Sequence, residues 1–80
     1  MKRIEYEMLF ATYPDVVTLP VFCEMLGGIA DGTARKLLQA NRVGHFVIRT
    51  IYYIPKEKVI DYLMSQHYRK YREKLKHKIE

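Results

Sequence analysis

The rest of the chain can be read outward from Asp31-Gly32-Thr33-Ala34-Arg35-Lys36-Leu37-Leu38-Gln39-Ala40-Asn41. At roughly 100° of turn per residue, Ala34, Leu37 and Leu38 fall on one helical face and can sit on a core. Arg35, Lys36 and Gln39 project from the opposite side, with Gly32 close to them and Thr33 at the flank. That side is short, basic and amide-bearing. Guanidinium and carboxamide groups match the acceptor edges of bases in a major groove, Arg suiting guanine and Gln adenine. A solvated amphipathic helix would show the same pattern. The flanking segments bear on which of the two holds.

Upstream, Leu19, Phe22, Cys23 and Leu26 recur at i, i+3, i+4 and i+7, which predicts one buried helical face. Thr18 is a candidate N-cap for this helix, and Pro20 is tolerated in its first turn. Gly27-Gly28 ends it, because glycine adopts the left-handed conformation of a helix terminus without steric cost. Ile29 plugs back into the core, and Ala30 or Asp31 opens the next helix, Asp31 being the better cap chemically. Helix, glycine-bearing turn and helix within about twenty-five residues is the layout of a helix-turn-helix. Further upstream, Tyr13-Pro14-Asp15 breaks any helix. Residues 4–13 then form a short opening helix with Ile4, Met8 and Ala11 on one face and Leu9 and Phe10 beside it.

Downstream of Asn41-Arg42-Val43-Gly44 the pattern changes. Phe46-Val47-Ile48 and Ile51-Tyr52-Tyr53-Ile54 are β-branched or aromatic throughout and are separated by Arg49-Thr50, which predicts a hairpin with a tight tip. After a recognition helix such a hairpin is either a wing carrying Arg49 toward a backbone or minor groove, or a plain cover for the core. From Lys56 to the end the chain reads as one long helix. Val59, Ile60, Leu63, Met64, His67, Tyr68, Tyr71, Leu75 and Ile79 keep its rhythm. Its second half, bearing the stripe Tyr68, Tyr71 and Leu75, is a solvated end, an arm on DNA or a surface for a partner helix.

Composition narrows the classes. Eighty residues make one small domain, and a hydrophobic content of 49% argues against wholesale disorder. The single cysteine excludes an intramolecular disulfide. No apolar run spans a bilayer and the N-terminal residues do not resemble a signal peptide, so a cytoplasmic, nucleoid-associated location without membrane partners is expected. The formal charge of +5 is unevenly placed. From His67 onward six basic residues face two acidic ones, whereas residues 1–66 carry eight against seven. A basic tail on a near-neutral body favours a polyanionic partner. His45, His67, His77 and Cys23 lack metal-ligand spacing, and no phosphate loop or nucleophile–base set can be assembled. Neither an enzyme nor a cofactor is expected.

Thr18-Leu19-Pro20-Val21-Phe22-Cys23-Glu24-Met25-Leu26-Gly27, Thr33-Ala34-Arg35-Lys36-Leu37-Leu38, Phe46-Val47-Ile48 and Tyr53-Ile54-Pro55-Lys56-Glu57-Lys58-Val59-Ile60-Asp61-Tyr62-Leu63 resemble the excisionase-type helix-turn-helix proteins, small relatives of the MerR regulators. The resemblance covers residues 15–64, with the Ile-Pro-Lys-Glu element its most specific part. It implies an α+β, mostly α fold: a winged helix-turn-helix with a two-stranded wing, continued here by a long basic C-terminal helix. The domain organisation is then an N-terminal segment at 1–14, the DNA-binding domain at 15–64 and a basic extension at 65–80. The chain departs from the family pattern at Val21, where a capping Glu is usual, at the extra residue of Gly27-Gly28, and in a wing poor in glycine and basic residues. Cys23 stands where the family has a small buried alanine, which implies a core role.

By position, the resemblance implies that Thr33, Arg35, Lys36, Gln39 and Arg42 contact DNA from the recognition helix and its end. Arg49 and Thr50 would do so from the wing. The tail lies outside the resemblance, and Arg69, Lys70 and Arg72 are candidate DNA contacts on its basic charge alone. The implied function is sequence-specific binding and bending of double-stranded DNA as an excisionase of a mobile genetic element such as a transposon. The partners would be a tyrosine recombinase (integrase) and further copies of the chain on DNA. The alternatives are a transcriptional repressor of the element's own genes, or an interaction adaptor working through the C-terminal helix.

Overall fold

A computed structural model of the chain describes residues 2–70. Two helices form the centre, α2 at Leu19–Met25 and α3 at Asp31–Gln39. Leu19, Phe22, Cys23 and Leu26 from the first, and Ala34, Leu37 and Leu38 from the second, are all buried, as their spacing predicts. Both helices end in the same way. The N–H groups of Gly27 and Gly28 donate to the carbonyls of Glu24 and Cys23, at 3.0 and 2.9 Å, and those of Asn41 and Arg42 donate to Leu38 and Leu37, each at 3.0 Å. This paired arrangement needs a left-handed residue just past the helix. Gly27, at φ 87°, and Asn41, at φ 58°, supply it, and Gly28 is also left-handed, at φ 88°. At the start of α3 the cap position is Ala30, and Asp31 is the first helical residue. Thr18 precedes α2 as expected, but its side chain makes no capping hydrogen bond.

The hairpin consists of β2, Phe46–Ile48, and β3, Ile51–Pro55. They pair antiparallel with Ile48 opposite Ile51, so Arg49 and Thr50 alone make the turn. The sheet is larger than the expected two strands. Val16–Thr18 forms β1, which pairs antiparallel with the far edge of β3 and gives the order β1-β3-β2. Three residues leading into a helix carry too little alternation to announce a strand. What recruits them is the open edge of β3 and the burial of Val17 opposite Ile54, at 1% and 0% exposure.

The long C-terminal helix is also corrected. Helix α4 covers Lys56–Leu63 and stops, and a second segment, α5, begins at residue 66 and continues to residue 70, where the described residues end. Ser65 makes the break. Its hydroxyl donates to the Tyr62 carbonyl at 2.6 Å and accepts from the Tyr68 N–H at 3.2 Å, the bonding of an N-cap. The apolar rhythm runs through this point because Tyr62, His67 and Tyr68 all turn toward one another. Tyr62 Oη lies 2.8 Å from His67 Nδ1, and the Tyr62 and Tyr68 rings meet edge to face at 5.6 Å.

Helix α1 spans Arg3–Leu9, starting one residue before the expected helix at 4–13 and ending four residues short of it, and it turns another face inward. Ile4, Met8 and Leu9 are 57%, 72% and 58% exposed, and Ala11 is exposed too. Phe10 is buried instead, stacked with Tyr6 at 6.3 Å and set edge-on to Tyr13 at 5.2 Å. Aromatic rings offer more area than Ile or Met, and long-range charge contacts hold this orientation. Arg3 pairs with Asp61 on α4, and the Lys56 ammonium donates to the carbonyls of Phe10 and Tyr13 at 3.2 and 3.0 Å. The result is an α+β domain in which a three-stranded antiparallel sheet packs one face against the helices.

Candidate nucleic-acid interface

Because Ala34, Leu37 and Leu38 lock α3 onto the core, the opposite side of that helix has a definite direction. Gly32, Arg35, Lys36 and Gln39 are exposed along it, and Thr33 is half-buried at its edge. The backbone leading away from α3 continues in the same character. From Gly32 to Pro55 the chain contains Arg35, Lys36, Arg42 and Arg49 and no acidic residue.

The hairpin tip lies beside this helix and does not cover it. Arg35 and Thr50 line one shallow groove of about 220 Å³, together with Thr18, Pro20, Asp31 and Tyr52. Arg49 is exposed at the same tip. Arg49 and Thr50 adopt φ of 50° and 68°, the doubly left-handed geometry that a two-residue hairpin turn demands. Such turns normally use Asn and Gly, and a β-branched residue there is strained. The tip therefore carries a guanidinium and a hydroxyl where glycine would be the relaxed choice.

Asp31 is the one acid in this groove, and its environment explains why it is kept. It sits in the first turn of α3, where a negative charge meets the positive helix end. It also accepts a hydrogen bond from Cys23 Sγ at 3.5 Å. Burial, with this contact and the charge of Asp31 added, pushes the Cys23 thiol up to about 11. The cysteine is thus a protonated core group.

Arg42 belongs to a different zone. Following the end of α3, it lies near enough to Tyr62 and His67 to act on both titrations. Burial, then the positive charges of Arg42 and Lys70, hold His67 below its ordinary value, and burial raises Tyr62 to about 12. Arg69 and Lys70 are exposed on α5, and Arg72 lies outside the described residues. Lys58, on α4, lies against the segment that follows α3. Its aliphatic stem crosses Gly44 so closely that a β-carbon there would sit 3.0 Å from it. The only trace of this in the sequence is a glycine with no turn to make.

Among the described residues, no cluster of His, Cys, Asp and Glu could hold a metal ion, and no helix is long and apolar enough to cross a membrane. Comparison with protein-family models, with curated proteins and with solved structures returns no match. The reading of this face therefore rests on its own residues.

Proposed function

We propose that the chain is a winged helix-turn-helix DNA-binding protein. In this reading α2 and α3 are the helix-turn-helix, α3 enters a major groove and the β2–β3 hairpin is the wing. The observation that carries it is the exposure of Arg35, Lys36 and Gln39 on the outer side of a helix whose inner side is core, within a stretch free of acids. Arg35, Lys36 and Gln39 read bases, and Thr33 and Arg42 hold phosphates or the groove wall. Arg49 and Thr50 approach the neighbouring minor groove, and Arg69, Lys70 and Arg72 add grip on the backbone. No catalytic step or cofactor enters. Gel-shift titration against footprinted sites tests this. Arg35→Ala lowers affinity and relaxes site choice, and unchanged binding in that variant removes α3 from the groove.

The role within DNA binding rests on the resemblance of residues 15–64 to excisionase-type proteins. In that role the protein bends the ends of a mobile element in the bacterial cytoplasm and assists a tyrosine recombinase in excision. A two-plasmid excision assay tests it. Recombination that proceeds equally without this chain leaves repression of the element's own genes as the reading. Of the stripe on which the adaptor alternative rests, Tyr71 and Leu75 lie outside the described residues, and Tyr68 is packed edge to face against Tyr62.

A further inference from the structure

The sheet has one face too many. Val17 and Ile54 point into the core, so alternation along the strands puts Val16, Thr18, Phe46, Ile48, Ile51, Tyr53 and Pro55 together on the opposite face. An antiparallel sheet with one face in water normally shows polar residues there. This face carries no charged residue, and Val16, Phe46, Ile48 and Ile51 are 40%, 44%, 53% and 49% exposed. Phe46 and Tyr53 stack across the strands at 5.6 Å. A contiguous apolar patch of this kind marks an interaction surface.

Charge at the two ends of the patch identifies the occupant. At the hairpin end stands Arg49. At the other end stand Asp15, next to Val16, and Glu57, two residues past Pro55; with Glu7 they rim a cleft of about 520 Å³ floored by Val16, Pro55 and Ile60. The cations at that end are Lys56, which donates to the carbonyls of Phe10 and Tyr13 and lies 4.0 Å from Asp15, and Arg3, which pairs with Glu7 and Asp61, so that Glu7, Asp15, Glu57 and Asp61 outnumber them by four to two. The patch is thus neutral in its middle, basic at one end and acidic at the other. We infer that it is the interface for a second copy of this chain, the two bare sheet faces stacking with their strands antiparallel. The Arg49 end of each copy then lies over the Asp15 and Glu57 end of its partner, twice by symmetry. The other two-fold stacking places tip on tip and acid on acid, and like charges disfavour it. Seven side chains on three short strands offer roughly 500 Å² per copy, so a pair buries about 1,000 Å², enough for a specific but weak dimer. Arg35, Lys36 and Gln39 lie on α3 and not on this face, whereas Arg49 belongs to both the dimer and the proposed wing, and Thr18 and Ile51 border the groove that Arg35 lines, so the dimer is tested on the protein without DNA and first at Ile48, which has no part in the DNA contacts.

Sedimentation equilibrium of the full chain from about 5 to 500 μM tests it. The expected result is a monomer–dimer equilibrium. Ile48→Lys, at a site already half exposed, weakens it at least about tenfold with unchanged circular dichroism, because a charge is set into an apolar contact. Arg49→Glu weakens it as well, and adding Asp15→Arg to Arg49→Glu restores part of the loss. A monomer across the whole range, or association in Ile48→Lys equal to the parent, overturns the interface. A double charge variant no stronger than Arg49→Glu alone overturns the antiparallel stacking.

Discussion

Cys23 and Thr50 show how far single residues are set by their surroundings. A thiol held at about 11, against an ordinary value of 9.0, has a thiolate fraction at pH 8 on the order of 100-fold lower than an unperturbed one. Native protein should therefore react with a disulfide reagent at least that much more slowly than unfolded protein, and Asp31→Asn should speed the reaction. The sign for stability follows. A folded value above the unfolded one contributes stability below about pH 9 and loses it as pH rises toward 11. Thr50, at φ 68°, is the opposite case, a residue held against its preference. Thr50→Gly should raise unfolding free energy by about 1 kcal/mol in urea titration. If the tip enters a groove, the same change should weaken DNA binding. Neither effect is legible in the letters themselves: a cysteine at helical spacing announces burial, but the proton's fate depends on Asp31, eight residues away.

At the scale of elements, two helix stops carry most of the shape. The glycines after α2 were readable because only they suit a left-handed terminus, and Gly27→Ala should cost about 1 kcal/mol in thermal unfolding. The stop after α4 was not readable. Ser65 in an apolar rhythm looks like a tolerated helical residue, and its capping role appears only once Tyr62 and Tyr68 pack together. Ser65→Ala should lower stability by about 1 kcal/mol and change circular dichroism toward a continuous helix. His67 sits at the same joint. Its folded value lies below the ordinary 6.5, so its contribution is complete above that pH and is lost as pH falls below it. Melting temperature measured from pH 8 to pH 5 should drop less in His67→Gln than in the parent.

For the whole molecule, the distribution of charge matters more than its total. The basic side runs through α3, the hairpin and the segment between them, whereas Glu7, Asp15 and Glu57 gather around the cleft at the end of the strands away from the hairpin tip. A body so divided orients itself in the field of a polyanion before touching it. With about five phosphate contacts, affinity for a duplex should fall several-hundred-fold between about 50 and 200 mM salt, and each removed contact should flatten the slope by about one. Arg42→Ala should flatten it without altering site choice, whereas Arg35→Ala should alter site choice. Filter binding over a salt series separates the two.

The sequence by itself determined the two central helices, the glycine turn, the hairpin with its two-residue tip and the side of α3 that meets solvent. All of these are local: periodicity and turn chemistry act within a few residues. Only the tertiary structure decided that Val16–Thr18 joins the sheet, that Phe10 and not Met8 faces inward, that the last helix breaks at Ser65 and that one sheet face is left bare. Each of those depends on partners far along the chain, such as Ile54 for Val17, Asp61 for Arg3 and Lys56 for the carbonyls of Phe10 and Tyr13. A residue's neighbours in sequence limit its conformation, but which of its faces is buried is settled by whatever else the fold brings against it.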